Sequence, residues 1–500
     1  MRPKLDIKWT AGALTRLPMA TTYLYLSLPI FIFFFGWLSL PIAIAMALIL
    51  AAGLVLAIRG APRISLPRIK KSDLPRIIFM IVVAFLWVYL SGIGKFAYQN
   101  YDHMWRNATL ELLVSEEWPV VLSRIEGCVV SDVALTYYFA TWLPAACFGK
   151  LFGLGAAHTF LYFWCTVGVL LAFTLLVGLT RRLSVWVVLG FVFFSGLDIV
   201  GDFMLNNHAG YIWLSSIHIE NWAHGFQMSS ISTQLFWVYN QAIPAWLITL
   251  ALLGQKNNRS IFLIYSFAFL SCTLPAIGLI PIAVYVGIKG ILSRFRRGEP
   301  LAKNAKAILV DTFTLQNVIA GGAVTAVTLL FIRSNATGGS GFGLAEISSL
   351  RMSYLIFVLL EFLVYYLAIF KYQKRNPLFY VSLATLLAVP LVVFGPHVDF
   401  VMRASIPSLV VLFILTANTL SKCKRTNDRA RALIIIALLV LGGVTAYHEI
   451  IRSVTATIAA AYDQTVELVP KRIELLTDGM RDNFFGDISE SIFFKYLAKQ

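Results

Sequence analysis

Acidic, His and Gln side chains collect in two stretches, 98-155 and 202-234, that separate long apolar segments of this chain. In the first stretch, Asp102 lies a few residues beyond an apolar segment, between Tyr101 and His103. A carboxylate at such a boundary can take a proton from an acceptor hydroxyl while the lipid tail of a donor stays in the bilayer. The same side chain could instead cap a helix that begins at His103, so both roles stay open.

Two arginines could bind a phosphate group. Arg403 lies in the short loop GPHVDFVMRASIP, at the start of an apolar helix, and Arg106 lies in the first polar stretch. A guanidinium matches phosphate oxygens with a bidentate fork. Arg403 could equally extend its charged end to the membrane interface.

A second group of polar residues could line a pocket for a sugar or its acceptor. Asp198 and Asp202 are one helical turn apart, so both could face one cavity and bind a divalent cation or sugar hydroxyls, or simply end a helix in water. No further oxygen-ligand spacing supports a metal. Gln234 and Gln241 lie among tryptophans, a composition that suits a sugar and equally a membrane interface. The pocket candidates are His103, Asp198, Asp202, His218, Glu220, Gln234, Gln241 and Asp399.

Glu361 lies inside the apolar segment RMSYLIFVLLEFLVYYLAIF. An ionisable group at that depth is costly in lipid and is a functional candidate by default. It could face a cavity or bind a partner inside the helix bundle.

The composition of the chain shows which solvent surrounds these residues. Hydrophobic residues make up 59% and charged residues only 13%, with a mean hydropathy of +0.77, whereas about a quarter of a soluble protein is charged. The formal charge of +16 comes from Lys and Arg in short loops between apolar segments. This pattern is typical of cytoplasmic loops in a multi-pass membrane protein and gives no basic face for nucleic acid.

Segment 133-153 decides the predicted topology. If it crossed the membrane, the basic clusters from Arg181 to Arg431 would all lie outside, whereas a non-spanning segment puts all of them in the cytoplasm. The sequence therefore predicts about thirteen crossings, with the N-terminus cytoplasmic and the C-terminus extracytoplasmic. The predicted spans are 21-37, 39-58, 77-97, 156-179, 183-201, 235-253, 260-275, 276-292, 316-333, 351-370, 377-394, 405-421 and 431-448.

Four regions follow from these spans. Residues 1-76 form an N-terminal transmembrane hairpin and a basic cytoplasmic loop. Residues 77-300 form a core with the outer loops 98-155 and 202-234, and residues 301-448 add the C-terminal helices. Residues 449-500 are charged enough to form a small extracytoplasmic helical tail.

One stretch of the core resembles a known family. The run SDVALTYYFATWLPAACFGKLFGLGAAHTFLYFWCTVGVLLAFTLLVGLTRRL is similar to the part of GT-C glycosyltransferases where a Tyr-rich interfacial helix and an LFG turn precede a span ending in paired arginines. The family also has an acidic residue early in its first long outer loop, a position that Asp102 takes here. The motifs cover roughly residues 77-205. The hairpin 21-58 is an extra element, YDH replaces a paired acidic dipeptide, and the large C-terminal soluble domain of some members is missing.

The resemblance implies an all-α GT-C-like bundle of about thirteen transmembrane helices, with juxtamembrane helices in the first long outer loop. It implies inverting transfer of a hexose or pentose from a polyprenyl-phosphate-linked donor to a cell-envelope glycan or lipid, on the outer face of a bacterial cytoplasmic membrane. Asp102 would be the base, and Arg403 and Arg106 would bind the donor phosphate. The partners would be that donor, the acceptor and membrane lipids. No cofactor is required, although a divalent cation could take part.

Three other functions fit many spans and long outer loops. An O-antigen-type polymerase or ligase relies on arginines in a large outer loop and needs no early acidic base. A lipid-linked glycan transporter or flippase is disfavoured by the lack of an inverted repeat and by few ionisable groups at mid-membrane besides Glu361. A non-catalytic assembly subunit would lack a closed pocket next to Asp102.

Overall fold

The protein is an all-α polytopic membrane protein, as its hydropathy predicts. A computed structural model describes residues 14-67, 70-126, 129-205, 218-223, 225-295, 299-336, 342-344, 351-394, 397-463, 467-476, 481-489 and 491-499. Within these ranges ten helices are long and apolar enough to cross a bilayer. Those ten helices are Leu17–Trp37, Leu40–Gly60, Lys71–Leu90, Leu154–Thr180, Ile231–Gly254, Thr273–Arg294, Gln316–Arg333, Met352–Gln373, Ile406–Thr426 and Arg429–Tyr462.

The helices are numbered in chain order. They are α1 Leu17–Trp37, α2 Leu40–Gly60, α3 Leu74–Leu90, α4 His103–Ser115, α5 Leu143–Phe152, α6 Leu154–Thr180, α7 Val185–Val192, α8 Asp198–Leu205, α9 Ile231–Gly254, α10 Ile261–Ser266, α11 Ala268–Ser271, α12 Thr273–Arg294, α13 Leu301–Thr312, α14 Gly322–Arg333, α15 Arg351–Val358, α16 Val364–Gln373, α17 Pro377–Ala388, α18 His397–Ala404, α19 Ile406–Thr426, α20 Arg429–Tyr462 and α21 Ile492–Tyr496. The strands are β1 Leu14–Thr15, β2 Ile64–Ser65, β3 Val121–Glu126, β4 Val129–Leu135, β5 Phe342–Leu344, β6 Val392–Phe394 and β7 Phe485–Asp487. There are also two π-helical turns. Gln316–Gly321 directly precedes α14, and Leu359–Leu363 separates α15 from α16.

Three of the thirteen predicted spans, 183-201, 260-275 and 377-394, are not long helices. The first is broken into α7 and α8, and the second into α10 and α11. The third forms a shorter apolar helix, Pro377–Leu391. The count of thirteen crossings therefore stays a prediction.

Segment 133-153 does not form a spanning helix, in agreement with its predicted role. Strand β4 ends at Leu135, and α5 has only ten residues. A helix of that length is about 15 Å long, half of the roughly 30 Å hydrocarbon core. Helices α4 and α5 are thus two short helices within the first long loop.

The break between α7 and α8 is stabilised by backbone contacts outside the segment. Leu197 N donates to Leu360 O over 3.0 Å, and Phe194 O accepts from Ile231 N over 2.9 Å. A Cβ on Gly196 would lie 2.2 Å from Glu361 Oε2, so only Gly allows this approach. Non-helical backbone at membrane depth is tolerated where protein groups satisfy it in this way. The predicted span 183-201 is therefore not one continuous helix, and hydropathy does not reveal the distant partners that stabilise its break.

The first long loop and the C-terminal tail meet at one end of the bundle. Strands β3, β4 and β7 form an antiparallel sheet in which Val133 pairs with Asp487. Ser39 N, in the turn between α1 and α2, donates to Leu497 O over 2.9 Å. The tail differs from the predicted helical appendage, because α20 continues past residue 448 to Tyr462, and β7 and the five-residue α21 follow it.

Basic side chains gather at the opposite end. Strand β1, before α1, pairs with β2, after α2. Asp311 accepts hydrogen bonds from Arg259 over 2.7 Å and from Arg294 over 2.6 Å, and so joins the start of α10 to the end of α12. Asp428 binds Lys371 over 2.8 Å, beside the turn between α19 and α20. We refer to this as the basic end.

Substituting Gly278 with Ala tests the packing of α12 against α18. A Cβ on Gly278 would lie 1.9 Å from the carbonyl oxygen of Ala404, so the backbone of α18 must move. We expect Gly278→Ala to lower the free energy of unfolding by about 1–3 kcal/mol. Thermal unfolding of the purified protein in one detergent measures the change.

Gly287→Ala, in the same helix, is the matched control. No atom lies within 4 Å of its added Cβ, and Ala favours a helix over Gly by about 0.5–1 kcal/mol. Equal melting temperatures for the two variants would contradict the close approach of α12 and α18.

Candidate functional site

Asp102 lies between α3 and α4, where its carboxylate faces an arginine instead of capping the helix. No side-chain hydrogen bond from Asp102 caps α4 in the described structure. Its Oδ2 accepts a hydrogen bond from Arg106 Nη2 over 3.1 Å, and the side chain is 32% exposed. The predicted capping alternative is therefore wrong, and the carboxylate stays accessible.

His103 fixes the loop that carries Asp102. Its Nε2 lies 3.0 Å from Ser91 O and its Nδ1 lies 3.2 Å from Gln99 Nε2, so one nitrogen donates and the other accepts. Burial, followed by the charge of Arg106, lowers the pKa of His103 to about 3. The imidazole is neutral and both nitrogens are occupied. His103 therefore positions the loop that carries Asp102, and its pocket role stays a prediction.

The two arginines predicted to bind phosphate both lie within electrostatic range of Tyr137. Their positive charges each lower the pKa of the Tyr137 phenol, although burial, as the largest effect, raises that pKa well above its usual range. Arg403 binds Asp399 Oδ1 over 2.7 Å, and the Arg106 guanidinium lies 5.9 Å from the ring centre of Tyr239. Each guanidinium side chain is only 9% exposed. Two arginines far apart in the sequence thus act on the same phenol, and one of them, Arg106, also pairs with Asp102.

Several buried polar atoms of the first long loop, α9 and α18 have no hydrogen-bond partner among the residues that the structure describes. They are Arg106 Nε, Arg403 Nε, Asn100 Oδ1, Asn240 Nδ2 and Gln241 Oε1. More than nine in ten buried polar groups in proteins are hydrogen bonded. Unpartnered donors and acceptors of this kind suit a polar ligand that carries hydroxyl and phosphate groups. The pocket role of Gln241 stays a prediction.

Gln234 has a structural role instead. Its Nε2 donates to Ser229 O over 2.9 Å and its Oε1 accepts from Trp246 Nε1 over 2.8 Å. In a straight helix, residues twelve positions apart are separated by about 18 Å, but α9 is kinked at Val238 (φ −136°, ψ 35°). The amide thus stabilises the kink, and the predicted pocket role of Gln234 is not supported.

A second, more buried cluster surrounds Asp198. Asp198 Oδ2 accepts from Ser195 Oγ over 2.8 Å and from Thr445 Oγ1 over 2.9 Å. The indole Nε1 of Trp222 lies 3.2 Å from Asp198 Oδ1 and 3.1 Å from Glu361 Oε1, so one N–H joins two carboxyl groups. Glu361 belongs to the π-helical turn Leu359–Leu363. Such turns are frequent at functional sites.

Glu220 and His218 connect this cluster with the outer parts of the fold. Glu220 accepts from Ser230 N and from Gln227 Nε2, both over 2.9 Å. Burial, and then the charge of Asp198, raises its pKa to about 8. His218 Nδ1 lies 3.7 Å from Glu449 Oε1. Burial lowers the pKa of His218, although the charges of Glu449 and Asp102 oppose that shift.

Asp202 and Asp399 do not build a metal site. Asp202 is 1% exposed in α8, and Asp399 pairs with Arg403. Within the described ranges, no group of three or more His, Cys, Asp or Glu side chains is arranged to hold a metal ion. The spacing of Asp198 and Asp202 alone therefore gives no cation site.

Sequence reasoning missed Tyr137, Tyr138, Asn100 and Glu449, and noted Trp222 only as one of the tryptophans around Gln234 and Gln241. Tyr137 and Tyr138 were visible only as part of a Tyr-rich run. Glu449 was assigned to the tail, although it lies within α20 and accepts from Trp237 Nε1 over 3.0 Å. An acidic residue directly after an apolar span was the signal that could have identified it.

Comparison of the chain with protein-family models, with curated proteins and with solved structures finds no match. A function is therefore inferred from the chemistry of the site.

Replacing Glu220 with Gln tests the buried acidic cluster. The pKa of Glu220 is about 8 in the folded protein against an ordinary value of 4.5. Between those values the folded state binds more protons than the unfolded state, so the free energy of unfolding falls as pH rises from about 4.5 to about 8. Because Gln does not titrate, we expect Glu220→Gln to flatten the fall in melting temperature across this window.

Thermal unfolding in detergent at a series of pH values measures this effect. Glu117→Gln, at an exposed position, is the control and should follow the wild-type profile. A Glu220→Gln profile parallel to wild type would show that Glu220 does not titrate as proposed.

Proposed function

We propose that this chain is a GT-C-like glycosyltransferase that moves a sugar from a polyprenyl-phosphate-linked donor to a glycan or lipid acceptor. The reaction would take place on the outer face of a bacterial cytoplasmic membrane. One observation carries the proposal: the accessible carboxylate of Asp102 binds Arg106, and the charges of Arg106 and Arg403 both act on Tyr137. Each of these arginines has an Nε without a hydrogen-bond partner among the described residues. A candidate base and two candidate phosphate-binding cations support the proposal in this way.

The reaction follows from these groups. Asp102 takes the proton of the acceptor hydroxyl as the acceptor oxygen attacks the anomeric carbon of the donor. The bond between that carbon and the phosphate oxygen breaks, and its electron pair goes to the oxygen. The configuration at the anomeric carbon is inverted. Negative charge develops on the oxygens of the leaving lipid phosphate. These oxygens accept hydrogen bonds from Arg106 and Arg403.

Two features favour a donor that is held in a membrane. The short helix α5 exposes Phe148, Leu151 and Phe152, of which Leu151 is 77% exposed. Such side chains suit the membrane interface. Asp102 lies in the same loop as α5 and follows the apolar helix α3. A lipid-linked phosphate could therefore reach Arg106 while its polyprenyl chain stays among the membrane helices.

The orientation belongs to the same proposal. The basic end contains Arg259, Arg294, Lys371 and Arg182, and basic loops favour the cytoplasm. The opposite end, with Asp102, would then face outward. Thirteen crossings, with α7–α8, α10–α11 and α17 as the shorter ones, agree with this orientation.

A proton-coupled transporter of a lipid-linked glycan is the second candidate. Asp198, Glu220, Glu361 and Glu449 are each at most 2% exposed, so buried ionisable groups are more numerous than Glu361 alone. Buried carboxyl groups can relay protons in transporters. Interrupted helices such as α7–α8 also occur in transporters.

Asp102→Asn tests the transferase. Because Asn cannot accept the acceptor proton, we expect transfer to fall by about 100-fold to 10,000-fold. The assay uses purified protein in lipid, with radiolabelled polyprenyl-phosphate sugars extracted from the native host and acceptor glycan from the same membranes.

Glu111→Gln is the matched control. It removes an acidic charge from α4, the helix that follows Asp102. The partner of Glu111 is Arg472, outside the site. Wild-type transfer by a folded Asp102→Asn protein would exclude Asp102 as the base. Transfer by no protein, with a donor pool that a known transferase can use, would exclude the transferase itself.

Proton flux separates the two candidates. For a transferase, we expect no substrate-dependent proton movement in proteoliposomes that contain a pH-sensitive dye and the lipid-linked sugar. A transporter would instead acidify the lumen, and Glu361→Gln would abolish this flux because the amide cannot carry a proton. Proton flux that is present in wild type and lost in Glu361→Gln would favour the transporter.

A further inference from the structure

A polar cavity of about 300 Å³ opens at the basic end of the bundle. It lies at the C-terminal end of α6, a helix of 27 residues that is about 40 Å long, whereas the site of Asp102 adjoins the N-terminal side of that helix. The volume is at the lower end of the range for small-molecule sites, about 300–1,000 Å³. The lining side chains that matter here are Arg182, Lys422, Arg425, Gln373, Asn376 and Asn418.

The three cations of this cavity have no anionic partner in the described part of the chain. No lining residue that the structure describes is acidic. Arg182, Lys422 and Arg425 make no ion pair within the described ranges, whereas nearby Lys371 pairs with Asp428. Burial, and then the positive charge of Arg425, lowers the pKa of Arg182. Like charges in a half-buried cavity repel each other, so an anion there would relieve the repulsion.

The polar wall of the cavity is fixed by hydrogen bonds. Asn376 Oδ1 accepts from Leu378 N over 3.2 Å and caps α17, while its Nδ2 donates to Gln373 Oε1 over 3.0 Å. Gln373 Nε2 donates to Thr419 Oγ1 over 2.9 Å. The N-terminus of α17 adds its positive dipole end to the same wall.

A backbone turn directs Arg182 to the cavity. Arg181 ends α6 in the left-handed conformation, with φ 54°, and Arg182 N donates to Val177 O over 3.1 Å. Cations near helix C-termini also stabilise the helices themselves. The concave shape of the cavity and the lack of carboxylates among its described lining residues separate it from that general effect.

We propose that this cavity binds the phosphate group of an anionic phospholipid from the adjoining leaflet. The cations of the lining lie at the C-terminal ends of the apolar helices: Arg182 follows α6, and Lys422 and Arg425 are in the last turns of α19. This is the level of lipid headgroups. A soluble phosphate presents the same chemistry, so the test must separate the two sources. The proposal is independent of the reaction at Asp102.

Native mass spectrometry of the full chain in detergent tests the site. Phosphatidylglycerol is the probe and phosphatidylcholine the neutral reference. We expect the double variant Arg182→Gln, Arg425→Gln to bind phosphatidylglycerol about 30-fold more weakly than wild type, since each basic residue near a headgroup contributes roughly fivefold.

Lys424→Gln is the matched control, because Lys424 is adjacent to Arg425 and does not line the cavity. It should bind phosphatidylglycerol like wild type. Equal binding by wild type and the double variant would overturn the proposal. Equal weakening by Lys424→Gln would also overturn it, because the attraction would then be a general effect of surface charge.

Thermal unfolding distinguishes the sources and checks the fold of the variants. Without lipid, Arg182→Gln should raise the melting temperature, because it removes the repulsion with Arg425. Phosphatidylglycerol should stabilise wild type far more than inorganic phosphate does, and should not stabilise the double variant. Equal stabilisation by inorganic phosphate would overturn the lipid as ligand and assign the cavity to a soluble phosphate compound.

Discussion

The hydrogen bonds from Trp222 Nε1 to Asp198 and Glu361 are the interaction on which the rest of the fold depends. A buried carboxyl group must find donors, and two of them in one apolar bundle cannot be satisfied by regular helices alone. The chain adapts by ending α7 at Val192, by forming the π-helical turn around Glu361, and by bringing Thr445 of α20 to Asp198. Each irregularity supplies a donor or the space for one.

The same irregularities position the outer site. Because α9 begins beside the break at Phe194, its kink at Val238 brings Tyr239 and Asn240 to the first loop. Trp142 Nε1 donates to the Tyr239 hydroxyl over 2.8 Å, and Thr141 Oγ1 donates to Asn240 O over 2.7 Å. These contacts fix the ring that lies under Arg106. The buried acidic cluster and the site of Asp102 are thus parts of one hydrogen-bonded framework.

Hydropathy predicted the regular spans well, because twenty apolar residues in a row leave little choice but a transmembrane helix. Segments 21-37 and 405-421 correspond closely to α1 and α19. The break in 183-201 was not predictable, since it depends on Glu361, far away in the chain. For the site, the sequence identified Asp102, Arg106 and Arg403 as candidates from their residue types. The shared electrostatic effect of Arg106 and Arg403 on Tyr137 was not predictable, because a single sequence carries no distances.

The way in which an arginine is ion-paired distinguishes arginines that join helices from arginines that can still bind an anion. Arg259 and Arg294 share Asp311 and join α10 to α12, so Asp311 partly neutralises their charges within the bundle. Arg106 and Arg403 each pair with a carboxylate one helical turn away, which orients the guanidinium but leaves Nε unused among the described residues. A guanidinium that is oriented by one edge and open at another is preorganised for an oxyanion, because little conformational entropy is then lost when the anion binds.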